Sequence, residues 1–113
     1  MRTTRQVVDD HLVGVAGGDP VAMALDYAQN AVLVRGADCY DGHDAILEYF
    51  RTVPGRLAPG RVEVHRVETD GERGSVWWRL VGGPGDGSSG RDDIVVRGGL
   101  IVSQIVNLDG ADF

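Results

Sequence analysis

A chain of 113 residues has room for one domain with a real core and none for a second, so residues 1–113 read as a single unit. Its composition, 42% hydrophobic and 25% charged, is that of a soluble globular protein, while a formal net charge of −6 argues against nucleic acid, since the eleven basic residues are scattered among seventeen acids. All eleven are arginine, which excludes a lysine Schiff base, and the single cysteine, Cys39, permits neither an internal disulfide nor a cysteine-based zinc cluster. No apolar run reaches the about 20 residues a membrane span requires. The opening MRTTRQVVDDH has no signal-peptide core, because Asp9, Asp10 and His11 break it up. The expected location is cytoplasmic.

Thr3 or Thr4 caps a first helix in which Val7, Val8, Leu12 and Val15 recur at helical spacing, and Gly17-Gly18 ends it. Asp19-Pro20 starts a second, short helix carrying Val21, Ala22, Met23, Leu25 and Tyr27, expected to be mostly buried. Gln29-Asn30 then turns into the strand AVLV, and Asp38 to Tyr40 forms a brief return strand. A third helix presents Ile46, Leu47, Tyr49 and Phe50 and stops at Val53-Pro54-Gly55.

From Gly60 the period changes to two. Val62, Val64 and Val67 mark one strand, Asp70-Gly71 a hairpin turn, and SVWWRLV its partner. GGPGDGSSG, from Gly82 to Gly90, is a flexible loop with no following helix, so it is no phosphate cradle. DDIVV and LIVSQIVNL are two last strands joined at Arg97-Gly98-Gly99. The order is α+β, with three N-terminal helices packed on one face of a curved, mainly antiparallel sheet.

Three stretches carry a resemblance: GGDPVAMALDYAQNAVLV, YDGHDAILEYF and VRGGLIVSQIVNLD. In that order they resemble the helix–strand junction, third helix and terminal hairpin of the NTF2-like superfamily, the cone-shaped fold shared by ketosteroid isomerase and the SnoaL-like polyketide cyclases. The resemblance implies a cavity lined by the helices and the inner sheet face. It also places Arg35 where ketosteroid isomerase keeps its catalytic base, His11 near that enzyme's tyrosine and Asp92 near its protonated acid. A guanidinium cannot abstract a proton at neutral pH, so that isomerisation mechanism loses its base.

Strand alternation selects the side chains that point inward. Arg35 shares a face with Leu33 and Ala31; it either grips an anionic oxygen or is neutralised by Asp38, Asp41 or Asp92. Asp92 shares a face with Ile94 and Val96, and in an apolar cavity its pKa rises into a range useful for acid–base work. His11 lies on the apolar side of the first helix, as a core-edge histidine with one backbone partner or as a general acid–base facing Asp92. Trp78 and Leu80 line the same interior, as do Gln104 and Val106, with Tyr27 in the family's packing motif. Ligand contacts are therefore expected from Tyr27, Leu33, Trp78, Leu80, Ile94, Gln104 and Val106, and catalysis from His11, Asp92 and Arg35. His43 and His65 read as surface residues, and nothing points to a metal or a cofactor.

Two functions follow. One is a small-molecule-binding SnoaL-like protein, in its enzymatic form an isomerase or cyclase acting on a polyketide- or steroid-like oxygenated ligand. Ligand sites usually run to about 300 Å³ or more, and a cavity below about 100 Å³ would defeat this reading. The other is a non-catalytic accessory module that uses the outer sheet face. On either reading a homodimer is expected through that face, where Trp77, Arg79, Val81, Val95 and Ile105 fall and an apolar patch is expected.

Overall fold

The computed structural model describes residues 1–110. Thr3 and Gln6 cap each other reciprocally at the start of α1 (Thr4–Gly17), and Gly18 ends it at φ 72°. Asp19 accepts from the Val21 N–H, and Pro20 occupies the first position of α2 (Pro20–Ala24). A helix this short turns only one side to the core. Met23 and Ala24 are buried, whereas Val21 and Leu25, expected inside, are 58% and 70% exposed.

Tyr27 belongs not to that helix but to β1 (Tyr27–Arg35), and Gln29-Asn30 forms no turn. Those two residues lie in an irregular bulge, across which the pairing with β6 (Leu100–Leu108) jumps from Tyr27↔Ile101 to Val32↔Ser103. The bulge spends extra residues on one side, so Tyr27 and Ala31 both face inward while Gln29 and Asn30 reach solvent. After β2 (Asp38–Asp41), α3 (His43–Leu57) runs past its expected stop at Val53-Pro54-Gly55. Pro54 sacrifices one helical donor, but Val53 is buried and Leu57 packs against the core, and this burial carries the helix one turn further.

The remaining chain is a meander of β3 (Arg61–Asp70), β4 (Arg73–Val81), β5 (Ser89–Arg97) and β6. Gly71 and the Gly98-Gly99 pair adopt positive φ at two of its turns. β5 begins at Ser89, ahead of the DDIVV that alternation marked, and the preceding loop is tied down by Asp86 accepting from Gly82 N–H at 2.7 Å. The sheet order is β2-β1-β6-β5-β4-β3, antiparallel throughout except for the β1–β6 pair. The sheet is curved and unclosed, with the helices on its inner face. Val7, Val8, Met23, Leu33, Ile46, Ile94 and Ile101 are fully buried between the layers.

At the open end of the helix layer, Arg2 donates to Asp26 at 2.6 Å and to the Gly99 carbonyl at 2.8 Å, pinning the first residues to the β5–β6 hairpin.

Leu33→Ala is expected to lower the unfolding free energy by about 3 kcal/mol in urea titration. Val21→Ala, on the exposed side of α2, is expected to change it by less than about 0.5 kcal/mol.

Candidate functional site

Ladder pairing sets the residues of the inner face in rows. One row runs Asp38, Arg35, Val106, Asp92, Val76, Val67 across all six strands. Arg35 and Asp92 are thus on the same face two strands apart, about 10 Å along the row at the usual strand spacing. The neighbouring row holds Leu33, Gln104 and Ile94. A third brings Gly90 opposite Trp78.

Above these rows lies a cavity of about 90 Å³. The sheet contributes Val62, Val76, Trp78, Leu80, Asp92, Gln104 and Val106; α1 contributes His11, Leu12 and Val15. α3 supplies Tyr49, Phe50, Val53, Arg56 and Leu57. A second, mostly apolar groove of about 340 Å³ adjoins it, sharing Val15, Leu57 and Val62. By itself the chamber falls below the about 100 Å³ that defeats a ligand-binding reading, and only together with the adjoining groove is there space for a small molecule.

Of the residues singled out from sequence, His11, Asp92, Trp78, Leu80, Gln104 and Val106 line the chamber. Tyr27 stands behind Gln104, bonded to it. Leu33 and Ile94 are packed into the core and do not reach the cavity. Arg35 is buried at 3% exposure but borders a different groove, beyond Val106. The omissions were Leu12, Val15, Val62 and Val76, read only as core or strand positions, and above all the five α3 residues. Their spacing, 49, 50, 53, 56, 57, is one helical face, but the expected stop at Pro54 cut the helix short before that face was complete.

The polar groups form a line. The indole Nε1 of Trp78 donates to Asp92 Oδ1 at 3.0 Å, and the Gln104 amide donates to Asp92 Oδ2 at 2.9 Å. The Tyr27 hydroxyl donates to Gln104 Oε1 and lies 3.4 Å from His11 Nε2. His11 Nδ1 donates to the Met23 carbonyl at 3.1 Å, so the one-backbone-partner histidine is what α1 presents. His11 meets Asp92 only through Tyr27 and Gln104.

Trp78 can lie flat toward Asp92 because Gly90 has no side chain. A Cβ there would come 2.6 Å from Trp78 Cζ2 and 2.4 Å from the Asn107 carbonyl oxygen. Although Asp92 as a residue is half-buried, its carboxyl is enclosed by Trp78 and Gln104. Burial raises its pKa to about 6, against the two hydrogen bonds and Arg35, with Asp93 adding to the rise. Burial likewise lowers His11, although Asp26 and the Met23 carbonyl oppose this. It also pushes Tyr49 up to about 12, against Arg35 and Arg56, so that hydroxyl is a standing hydrogen-bond donor at neutral pH.

Elsewhere, His43, expected at the surface, is half-buried and donates from Nε2 to the Ala24 carbonyl at 3.1 Å, while His65 is exposed beside Glu63. No three His, Cys, Asp or Glu stand together as a metal site among the described residues. On the outer face Trp77 lies under the Arg66 guanidinium, 4.9 Å away. Its row continues through Arg91 and Asn107, and Asp93 stands beside Ile105, so charges interrupt the expected apolar patch.

The SnoaL-like domain profile matches residues 8–104 of the chain. A search of curated proteins finds no match. Among solved structures, an NTF2-like protein of unknown function from Mesorhizobium loti is 18% identical at TM-score 0.84, the match covering 95% of this chain and 91% of that one. A candidate polyketide cyclase from Sinorhizobium meliloti is 19% identical over 90% and 94% of the two chains, at 0.79. The epoxide hydrolase/cyclase-like enzyme SalBIII, of pyran ring formation in salinomycin, is 20% identical over 93% and 89%, at 0.77. At these identities the structural matches establish the fold.

Because the Trp78 hydrogen bond favours the carboxylate, Trp78→Phe is expected to raise the Asp92 midpoint above about 6 in a carbon-detected NMR titration. The raised pKa also has a stability consequence. The folded state holds the Asp92 proton more tightly than the unfolded state, so this stabilisation is full below pH 3.8 and is lost as pH rises through about 6. Relative to Asp92→Asn, the native protein is expected to lose about 3 kcal/mol of stability across that window in urea titrations.

Proposed function

The chain belongs to the SnoaL-like domain family, and from that premise we propose that it binds a small oxygenated molecule and acts on it by acid–base chemistry at Asp92. The observation that carries this is a carboxyl raised to about 6 inside an apolar chamber, reached by two anchoring donors and open on its remaining side to the cavity. A group titrating there can take a proton from carbon next to a carbonyl and return it. Tyr49, protonated and lining the same space, is the donor for the developing oxyanion. Arg35, which does not line the chamber, acts through its charge on Asp92 instead of gripping the ligand.

Size limits the ligand. A chamber of about 90 Å³ does not admit a whole polyketide or steroid, only the oxygen-bearing end of a molecule that extends out of it. The remainder fits the apolar groove beyond Val15, Leu57 and Val62. The neighbours described as a candidate cyclase, a candidate isomerase and an epoxide hydrolase/cyclase-like enzyme support this class of chemistry. Within it, a base at Asp92 replaces the one whose position Arg35 occupies.

The second reading, an accessory module dimerising through the outer face, rests on Ile105, 45% exposed, and on Trp77 half-buried under Arg66. The charges between them make any such interface a polar one.

Cyclohexanone and its 4-alkyl homologues supply an enolisable head with a growing apolar arm. Proton exchange in deuterated buffer, followed by NMR, is expected to run faster with the protein than without it, and to fall at least about 100-fold on Asp92→Asn. No acceleration and no rise in melting temperature with any homologue, together with a dimer in sedimentation that Trp77→Ala dissociates, would favour the accessory module.

A further inference from the structure

Every polar atom between Asp92 and His11 has a fixed capacity to donate or accept. The Met23 carbonyl only accepts, so His11 Nδ1 carries a proton and the neutral ring's Nε2 is a lone pair, 3.4 Å from the Tyr27 oxygen. Tyr27 has one proton and gives it to Gln104 Oε1. The Gln104 amide in turn gives one to Asp92 Oδ2. With this polarity Asp92 is an ionised acceptor at the end of a line of donors, and neutral His11 Nε2 receives nothing along it.

An added proton has two seats. On His11 Nε2 it creates a donor to the Tyr27 oxygen and leaves the rest of the line unchanged. On Asp92 Oδ2 it sets a hydroxyl against the Gln104 N–H, two donors face to face. A half-turn of the amide relieves the clash: Oε1 accepts from Asp92, Nε2 donates to the Tyr27 oxygen, and the Tyr27 proton turns to His11 Nε2. Every atom is then satisfied, and His11 has no lone pair left to protonate.

We propose that Gln104 is a positioning residue which lets the site hold one proton, on Asp92 or on His11 but not on both, with the direction of its amide set by which end is occupied. The opposite displacements of the two groups, Asp92 upward and His11 downward, bring the two ends toward each other in proton affinity. Arg35 on the inner face and Asp93 from the outer face act through their charge on the Asp92 end, where Tyr49 also lines the chamber, and Asp26 acts on the His11 end. For a base in this chamber the consequence is directional. Once Asp92 has taken a proton from a ligand, the reversed line discourages a second proton from entering at His11.

The inference rests on Asp92 as the titrating group of the chamber, yet its test needs no ligand, so it can fail while ligand binding stands, and the reverse. In isotopically labelled protein, the Asp92 carboxyl carbon and the His11 Nε2 nitrogen are followed together from pH 4.5 to 9. The His11 Nε2 resonance is expected to step downfield at the same midpoint as Asp92 ionises, since Tyr27 then withdraws its proton. Gln104→Met keeps the length of the side chain but cannot reverse; there Asp92 should still titrate and the His11 step at that midpoint should vanish. Asp92→Asn should abolish the step as well. Two results would overturn the proposal: no His11 response at the Asp92 midpoint in the native protein, as when the acid proton points into the chamber, or a response that survives in Gln104→Met.

Discussion

A carboxyl sunk into an apolar interior costs several kcal/mol unless donors meet it, and the inner face of this protein is organised around meeting that cost at Asp92. Two donors reach it, the indole of Trp78 and the amide of Gln104. Each imposes a further condition. The indole requires Gly90 beneath it, because any side chain there would strike the ring and the backbone of β6. The amide requires Tyr27, which in turn brings in His11 and, through it, the carbonyl of Met23 in α2. Four strands and two helices are thereby fixed relative to one carboxyl. The bulge in β1 belongs to the same arrangement, since it keeps Tyr27 and Ala31 on the inner side of a strand whose pairing shifts between them.

How much of this could be read beforehand depended on range. The caps at Thr3 and Asp19, the turns at Gly71 and Gly98-Gly99, and the alternation that sends Asp92, Trp78 and Gln104 inward are local rules, and the structure follows them. What went astray required knowing what lay opposite. Pro54 is a stop signal only for a helix with nothing to gain by continuing, and Val53 and Leu57 had a core to cover. Val21 and Leu25 are apolar, but a helix of five residues could not hide them. Gln29-Asn30 has the composition of a turn, but the pairing with β6 on either side of it, at Tyr27 and Val32, holds it in a strand.

The site was half legible for the same reason. Which side chains face inward is a matter of parity; how far each stands from a cavity is set by the closing of the sheet against α1 and α3, which parity does not encode. Arg35 and Asp92 fall in one row as alternation requires, but Val106 stands between them and assigns the guanidinium to another groove. Leu33 and Ile94 face inward and are consumed by the core. Family membership gives the architecture, and the chemistry comes from the few polar groups that this particular chain leaves in the chamber.

The two tryptophans are adjacent in sequence and point to opposite sides of β4. One lies beneath an arginine on the outside; the other hands its indole proton to the buried carboxyl. The strand therefore carries two chromophores with separate audiences. Emission from the inner ring reports the charge state of the chamber, while the outer ring reports whatever covers the far face of the sheet. Silencing either one with phenylalanine turns the protein's own ultraviolet glow into a gauge of a single surface, with no dye attached.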